Sequence, residues 1–283
     1  MSLVRGSRGS TLSATVETLA TDLRARLRSV PSSLGRRLPN GGHDALRQLA
    51  LFLLAYWAYR VVRGFADGQA AVAFENARVL MDAERALGSF FEPGLQAWAL
   101  GQDWLVTSAN FLYVNCHFTV TPLFLIWLYV RRNHAFYFVR NMFMVSMALA
   151  LVLYVAFPTA PPRFLPEWGF TDTVAAFLGE ATEQSANLLY NPFAAVPSMH
   201  VAFALMIAVP ASRLVQAHSL KVAWALYPVM VTSVVLVTAN HFWLDAAAGA
   251  LVAALSGLAA SAALGRARPE VWAWRTRRAE AVA

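Results

Sequence analysis

The chain has 283 residues, 58% of them hydrophobic and only 14% charged, with a formal net charge of +7. A soluble domain of this size carries about 25% charged residues, so the composition excludes an ordinary soluble protein and indicates an all-α, polytopic membrane protein. The single cysteine, Cys116, excludes an intramolecular disulfide and a cysteine-based zinc site.

Residues 1–47 form a polar, basic tail. Within it Leu12, Val16, Leu19, Leu23, Leu27 and Val30 recur at three- and four-residue steps, accompanied by Arg24, Arg26 and Arg28. That pattern reads as an amphipathic helix able to lie on an anionic membrane surface, or as a mostly disordered tail. Glu17 and Asp22 argue against a mitochondrial transit peptide. The catalytic membrane domain is expected over 48–265, followed by a second basic tail over 266–283.

Six stretches approach or exceed the roughly 20 apolar residues that cross a bilayer. They are Leu46–Val62, Trp104–Val130, Phe136–Phe157, Pro197–Leu214, Leu220–Ala239 and Phe242–Leu264. Between the first two, Ala70–Gly101 reads as amphipathic helices at the interface, with Phe74, Ala77, Leu80, Ala83 and Leu87 on one face. Glu75, Asp82 and Glu92 punctuate this segment, and Pro93-Gly94 is expected to break it. Residues 158–196 form a long proline-bearing loop.

Lys and Arg set the orientation. Six spans leave Arg60, Arg63, Arg78, Arg85 and Arg163 on one side and the remaining eighteen basic residues on the other. Both termini are therefore expected in the cytoplasm. The membrane topology explains the basic charge without nucleic acid.

Ionisable residues within membrane spans are costly, and each is a functional-site candidate. His200 lies in Pro197-Ser198-Met199-His200, at the outer start of the fourth span. His241 and Asp245 stand four apart where the fifth span meets the sixth. Arg163 follows the outer end of the third. All four are expected at one depth, on the extracytoplasmic side. If the sixth helix begins near His241, Asp245 sits one turn along the same face. It can fix the imidazole tautomer, leaving the other nitrogen as a nucleophile. His200 can supply the leaving group's proton. Arg163 offers planar donors to phosphate oxygens, helped by Ser198 and the first amides of the fourth helix. Gly249, Ala253, Gly257 and Ser261 continue the four-residue steps from Asp245, a small-residue face suited to close helix packing. The bland alternative is that Asp245 merely pairs with His241 to hold two helices.

Pro197-Ser198-Met199-His200 and His241-Phe-Trp-Leu-Asp245 resemble the second and third signatures of the type 2 phosphatidic acid phosphatase superfamily. Pro161-Pro162-Arg163 resembles the short first signature of its inositol phosphorylceramide synthase-like, inositolphosphotransferase branch. The resemblance covers about residues 75–265. It implies six membrane helices, no metal or other cofactor, and a phosphohistidine intermediate. By that resemblance His241 is the nucleophile, Asp245 its orienter, His200 the acid and Arg163 a phosphate ligand. Two positions depart from the broad pattern. Ala156 stands where the superfamily has a Lys, and Val235 where it has an Arg. A site with fewer cations suits a phosphodiester better than a dianionic monoester.

Other residues stand out less sharply. Asn110, Tyr113, His117 and Thr121 share a face of the second span. Asn110 and Tyr113 read equally as head-group contacts and as interhelical hydrogen bonds. His117, about 20 Å below the outer end by helical rise, is expected to be structural. Asn240, Trp243 and Tyr190 are further candidate substrate contacts, as is Asn191. Glu84 and Arg85 are within reach of the site but are expected to face solvent. His43, His134 and His218 are expected to be solvated.

The reading is an integral membrane lipid phosphotransferase or phosphatase, leaning to head-group transfer. Its substrate is a phospholipid or a polyprenyl-phosphate-like lipid, with a lipid or polyol as acceptor. Hydrolysis to inorganic phosphate is the near alternative. A non-catalytic lipid-binding or transport protein is the rival from another class. The expected location is a bacterial plasma membrane with the site facing outward.

Overall fold

The computed structural model describes residues 38–64, 69–179 and 193–264. The helix read into residues 12–30, Tyr190 and Asn191, and the basic tail from 266 lie outside the described residues. The chain divides into two compact units at Leu53/Leu54, inside the first helix, α1 (Gly41–Gly64). At the start of α1, Asp44 lies in the first turn, where a negative charge complements the helix dipole, and Gln48 Nε2 donates to it at 3.0 Å.

The second unit is built from helices. Two short ones, α2 (Ala70–Ala86) and α3 (Glu92–Leu100), precede the long α4 (Asp103–Arg131) and α5 (Asn133–Ala156). Two 3-10 turns and α6 (Thr173–Leu178) follow in the loop. Then come α7 (Met199–Leu214), α8 (His218–Val237) and α9 (Trp243–Leu258), the last ending in a π-helical turn over Ala259–Leu264. Among the described residues, α4, α5, α8 and α9 are long and apolar enough to cross a membrane. α7 is apolar but only 16 residues long, and α1 has the length but a less apolar sequence.

The surface is what a lipid environment would select. Phe111, Phe118, Leu123 and Ile126 of α4 are exposed, as are Leu220, Leu226 and Val229 of α8 and Leu251 and Leu258 of α9. Apolar faces this extensive are not left against water by a soluble monomer. The fold is consistent with an integral membrane protein.

α7 is the central helix. Val201, Ala202, Ala204, Met206, Ile207, Ala208 and Ala211 are all buried, and α7 packs on α8, α9, α5 and α4. Its many alanines allow neighbours to approach on several sides. On α5, Val139, Met142, Phe143, Ser146, Ala150 and Tyr154 recur at helical spacing and form the buried face.

The α2–α3 segment departs from expectation in two ways. The buried stripe on α2 is Ala73, Ala77, Met81 and Glu84, whereas Ala83 and Leu87 are exposed. Small side chains at Ala73 and Ala77 let the helix backbone meet the loop: Ala160 N donates to Ala73 O at 3.0 Å, and Asn76 Nδ2 to Pro158 O at 2.7 Å. The break falls at Gly88, with φ +66, before Pro93-Gly94. Pro93 sits in the first turn of α3, where its missing N–H costs nothing.

Candidate active site

The site grows from the turn between α8 and α9. The amides of Asn240 and His241 both reach back to Val235 O, at 3.0 and 3.2 Å. Asn240 Nδ2 donates to Thr238 Oγ1 at 2.8 Å, so this side chain braces the turn. Ala239 adopts φ +50, a left-handed conformation that costs a non-glycine residue about 1–2 kcal/mol. Its carbonyl accepts from Arg163 N at 2.8 Å, which ties the loop to the turn two residues before His241.

His241 precedes α9 rather than lying on it. The helix starts at Trp243, and Asp245 reaches back from its first turn. Asp245 Oδ2 stands 3.3 Å from His241 Nδ1 and accepts from Phe242 N at 2.9 Å. His241 is 5% exposed and Asp245 fully buried. With Nδ1 turned to the carboxylate, Nε2 is the nitrogen left for chemistry.

The start of α7 is docked on α9. Ser198 N donates to Asp245 O at 3.0 Å, and Ser198 Oγ caps α7 by accepting from Val201 N at 3.5 Å. A Cβ at Gly249 would stand 2.2 Å from Ser198 O, so only glycine allows this approach. Tyr154 donates from its hydroxyl to Pro197 O at 3.2 Å. The two ends of the loop are pinned by a parallel bridge between Thr159 and Ala194. This arrangement brings the His200 ring to 5.7 Å from the His241 ring, centroid to centroid.

Arg163 is buried and paired through Nη1 with Asp172 Oδ2 at 2.6 Å. Asp172 also caps α6, accepting from Val174 N and Ala175 N. Asn110 exchanges hydrogen bonds with Thr173, anchoring α6 to α4.

Three acidic side chains meet the first turn of α9. Glu92 Oε1 accepts from Trp243 N at 2.9 Å, Glu84 Oε1 from Leu244 N at 3.1 Å, and Asp245 from Phe242 N. Trp243 Nε1 donates to Ser89 Oγ at 3.1 Å, completing the seam between α9 and the α2–α3 segment. Glu84 and Glu92 are fully buried, which corrects the solvated position expected for Glu84. Arg85 leans the other way, over the rings of Phe90 and Trp168. Burial, with Glu92 and Asp245 adding negative charge nearby, pushes the Glu84 carboxyl up to about 8. It keeps its proton near neutral pH.

His117, read as structural, turns out to neighbour His200. Its ring lies 4.9 Å from His200 and stacks on Phe203 at 4.9 Å, and Tyr113 lies 4.8 Å from His200. Helical rise placed His117 correctly along α4. What it could not show is that α7 starts beside that turn of α4, which depends on how the two helices pack. His43, His134 and His218 are exposed, as expected.

Sequence reasoning therefore missed Glu92, Asp172 and His117 as neighbours of the site, and put Glu84 within reach of it but facing solvent. Only Asp172 carried a readable signal: an Asp immediately before a Thr-Val-Ala run marks a helix N-cap.

The described residues thus form an all-helical membrane-type fold with a buried His–Asp pair and a second His at the meeting of α7, α8 and α9. The chain belongs to the PAP2 superfamily, whose family model matches residues 78–259. That stretch includes Arg163, Ser198, His200, His241 and Asp245. No curated protein and no solved structure matches the chain. The superfamily's members are phosphatases and phosphotransferases, and its membrane phosphatase-type fold points to a lipid phosphatase or phosphotransferase.

Proposed function

We propose that the protein transfers a phosphorylated lipid head group through a phosphohistidine at His241. The observation that carries this is the Asp245–His241 contact at 3.3 Å with the His200 ring 5.7 Å away. His241 Nε2 attacks phosphorus and the bond to the leaving oxygen breaks. Asp245 accepts from Nδ1–H and stabilises the imidazolium-like product. His200 gives a proton to the leaving alcohol. An acceptor hydroxyl then passes its proton to His200 and attacks phosphorus, and the P–N bond breaks. Arg163 and Ser198 hold the phosphoryl oxygens, together with the amides of Met199 and His200, which bond to no described group.

Charge supports transfer from a phosphodiester over hydrolysis of a monoester. Arg163 shares its charge with Asp172, and Ala156 and Val235 add none. Such a site matches one negative charge better than two, and a low-dielectric setting magnifies the mismatch. This charge balance supports reading the protein as a member of the inositol phosphorylceramide synthase-like branch. Its substrate is a phospholipid or polyprenyl-phosphate-like lipid, and its acceptor a lipid or polyol alcohol. In this reading the chain makes six spans, with α1 and α7 joining α4, α5, α8 and α9. Both termini are cytoplasmic and the site faces outward from a bacterial plasma membrane.

The test offers purified protein a panel of head-group-labelled lipids, with and without acceptor lipid. Transferred label, faster from a phosphoinositide than release of phosphate from phosphatidic acid, is the expected result. Faster turnover of phosphatidic acid with no transfer would establish hydrolysis instead.

A further inference from the structure

A cavity lies on the inner side of His200, between α4 and α8. Its walls include Tyr113, Cys116, His117, His200, Tyr227 and Val235. The space admits the centre of a water-sized group over about 10 Å³, room for roughly one such group. Tyr113 and His117 stand four apart on α4; Tyr227, Val231 and Val235 follow the same spacing on α8. The cavity is therefore a seam between two membrane-crossing helices whose opposite faces are apolar and exposed.

Its polar groups need explaining. Neither His117 nor His200 makes a hydrogen bond to a described group; each has only ring contacts. Both rings are half-buried and line the cavity, and a ring nitrogen without a protein partner is matched by whatever group enters the space. Here two such rings stand 4.9 Å apart, centroid to centroid, in the cavity wall beside the proposed phosphoryl acceptor. Cys116 Sγ and Tyr227 hydroxyl, 3.7 Å apart, line the opposite side. The rest of the lining, including Leu112, Met230 and Val231, is apolar. Val235 matters most: a cation here would make the cavity an anion site, whereas valine leaves it fit for a neutral group.

We infer that this cavity is the subsite for the lipid alcohol, with His117 and His200 gripping its hydroxyl oxygen while its hydrocarbon part runs along the α4–α8 seam. The inference rests on the proposed phosphotransfer at His241 and assigns the alcohol side of that reaction. In the first half-reaction the P–O bond breaks, the oxygen takes its proton from His200, and the neutral alcohol is left hydrogen-bonded to His117. In the second, an acceptor alcohol in the same place gives its proton to His200 as its oxygen bonds to phosphorus. His117 is an alcohol-binding residue that holds the oxygen in line with His241. A small water-soluble alcohol lacks the chain that the apolar seam takes up, so the subsite selects lipid over polyol.

Two measurements test this. The first is photocrosslinking of the full-length protein in mixed micelles with a long-chain alcohol carrying a diazirine beside its hydroxyl. Label should map to α4 and α8 peptides around Cys116 and Tyr227, and excess dioleoylglycerol should reduce it at least fivefold while glycerol does not. Label confined to other helices, or reduced equally by glycerol, overturns the subsite. The second compares a lipid donor with a short water-soluble phosphodiester bearing a nitrophenolate leaving group, in wild type, His117→Phe and His117→Gln. His117→Phe should lower the ratio of kcat/KM for lipid over the short donor about tenfold, mostly through KM. His117→Gln, which can still hydrogen-bond, should recover at least half of the wild-type ratio. An unchanged ratio, with both donors slowed alike, would mean that His117 only packs against Phe203. If wild type turns over neither donor, the phosphotransfer reading fails, and the crosslinking result still judges the subsite by itself.

Discussion

The first turns of α9 and α7 meet at Ser198 and Asp245, yet they are finished in opposite ways. On α9 the amides of Phe242, Trp243 and Leu244 are taken by Asp245, Glu92 and Glu84. On α7 the amides of Met199 and His200 bond to no described group, and Ser198 Oγ is the only side-chain cap. Both ends carry the positive pole of a helix dipole. One has its amides taken by acid side chains and carries the His241–Asp245 pair beside it. The other has no acid in its first turn, and in the proposed function its amides meet the phosphoryl oxygens. The difference shows that the start of a helix is finished according to which neighbouring elements reach it.

The sharpest way to break this comparison is Asp245→Asn. The amide can still accept from Phe242 N, so the turn should fold, but it cannot stabilise a charged imidazole. kcat should fall on the order of 10³- to 10⁴-fold with little change in KM. A loss below tenfold in steady-state kinetics would remove the orienting role of Asp245.

Gly249→Ala attacks the contact between the two helix starts. A methyl 2.2 Å from Ser198 O must push α7 from α9, an overpacking that costs about 1–3 kcal/mol. Thermal unfolding in detergent should shift down by several degrees, with activity reduced tenfold or more. Gly257→Ala is the matched control. Its methyl would meet Met142 Sδ at 3.7 Å, an ordinary contact, and should leave both quantities within error.

The acidic clamp has a pH signature. Glu84 titrates near 8 when folded and near its ordinary value of 4.5 when unfolded. Its folded form holds a proton that the unfolded chain releases, so its contribution to stability declines from about pH 4.5 to about pH 8 and is flat above that. Glu84→Gln keeps an oxygen toward Leu244 N and cannot ionise. It should flatten stability over this window, read as unfolding temperature against pH. An identical slope in wild type and variant would show that Glu84 is not the titrating group.

Ser198→Ala should have the smallest effect. Its cap bond is long, at 3.5 Å, and loss of an N-cap costs about 0.5–2 kcal/mol. A KM rise of a few-fold with kcat nearly unchanged is expected if the hydroxyl also holds a phosphoryl oxygen. An unchanged KM would leave it as a cap alone.

The sequence by itself determined a great deal where function depends on local spacing or on bulk solvent. Long apolar runs announced α4, α5, α8 and α9, because a membrane-crossing helix must be apolar along its whole length. The step of four between His241 and Asp245 forced their proximity whether the helix began at 241 or 243. Gly249 was visible as the next member of a small-residue row. Tertiary structure alone decided where other segments meet that row. Glu84 read as a solvated acid, and Glu92 as a polar interruption of its segment, because nothing within α2 or α3 accounts for burying them. Their partners are amides of residues 244 and 243, more than 150 positions away. His117 read as remote because the sequence does not say how deep α7 begins. Arg163 was visible as a cation, but Asp172, which shares its charge, was not. Periodicity and composition report what each helix presents to its surroundings. They do not report which distant backbone groups need a partner, and here those groups select the acids that clamp the turn carrying His241.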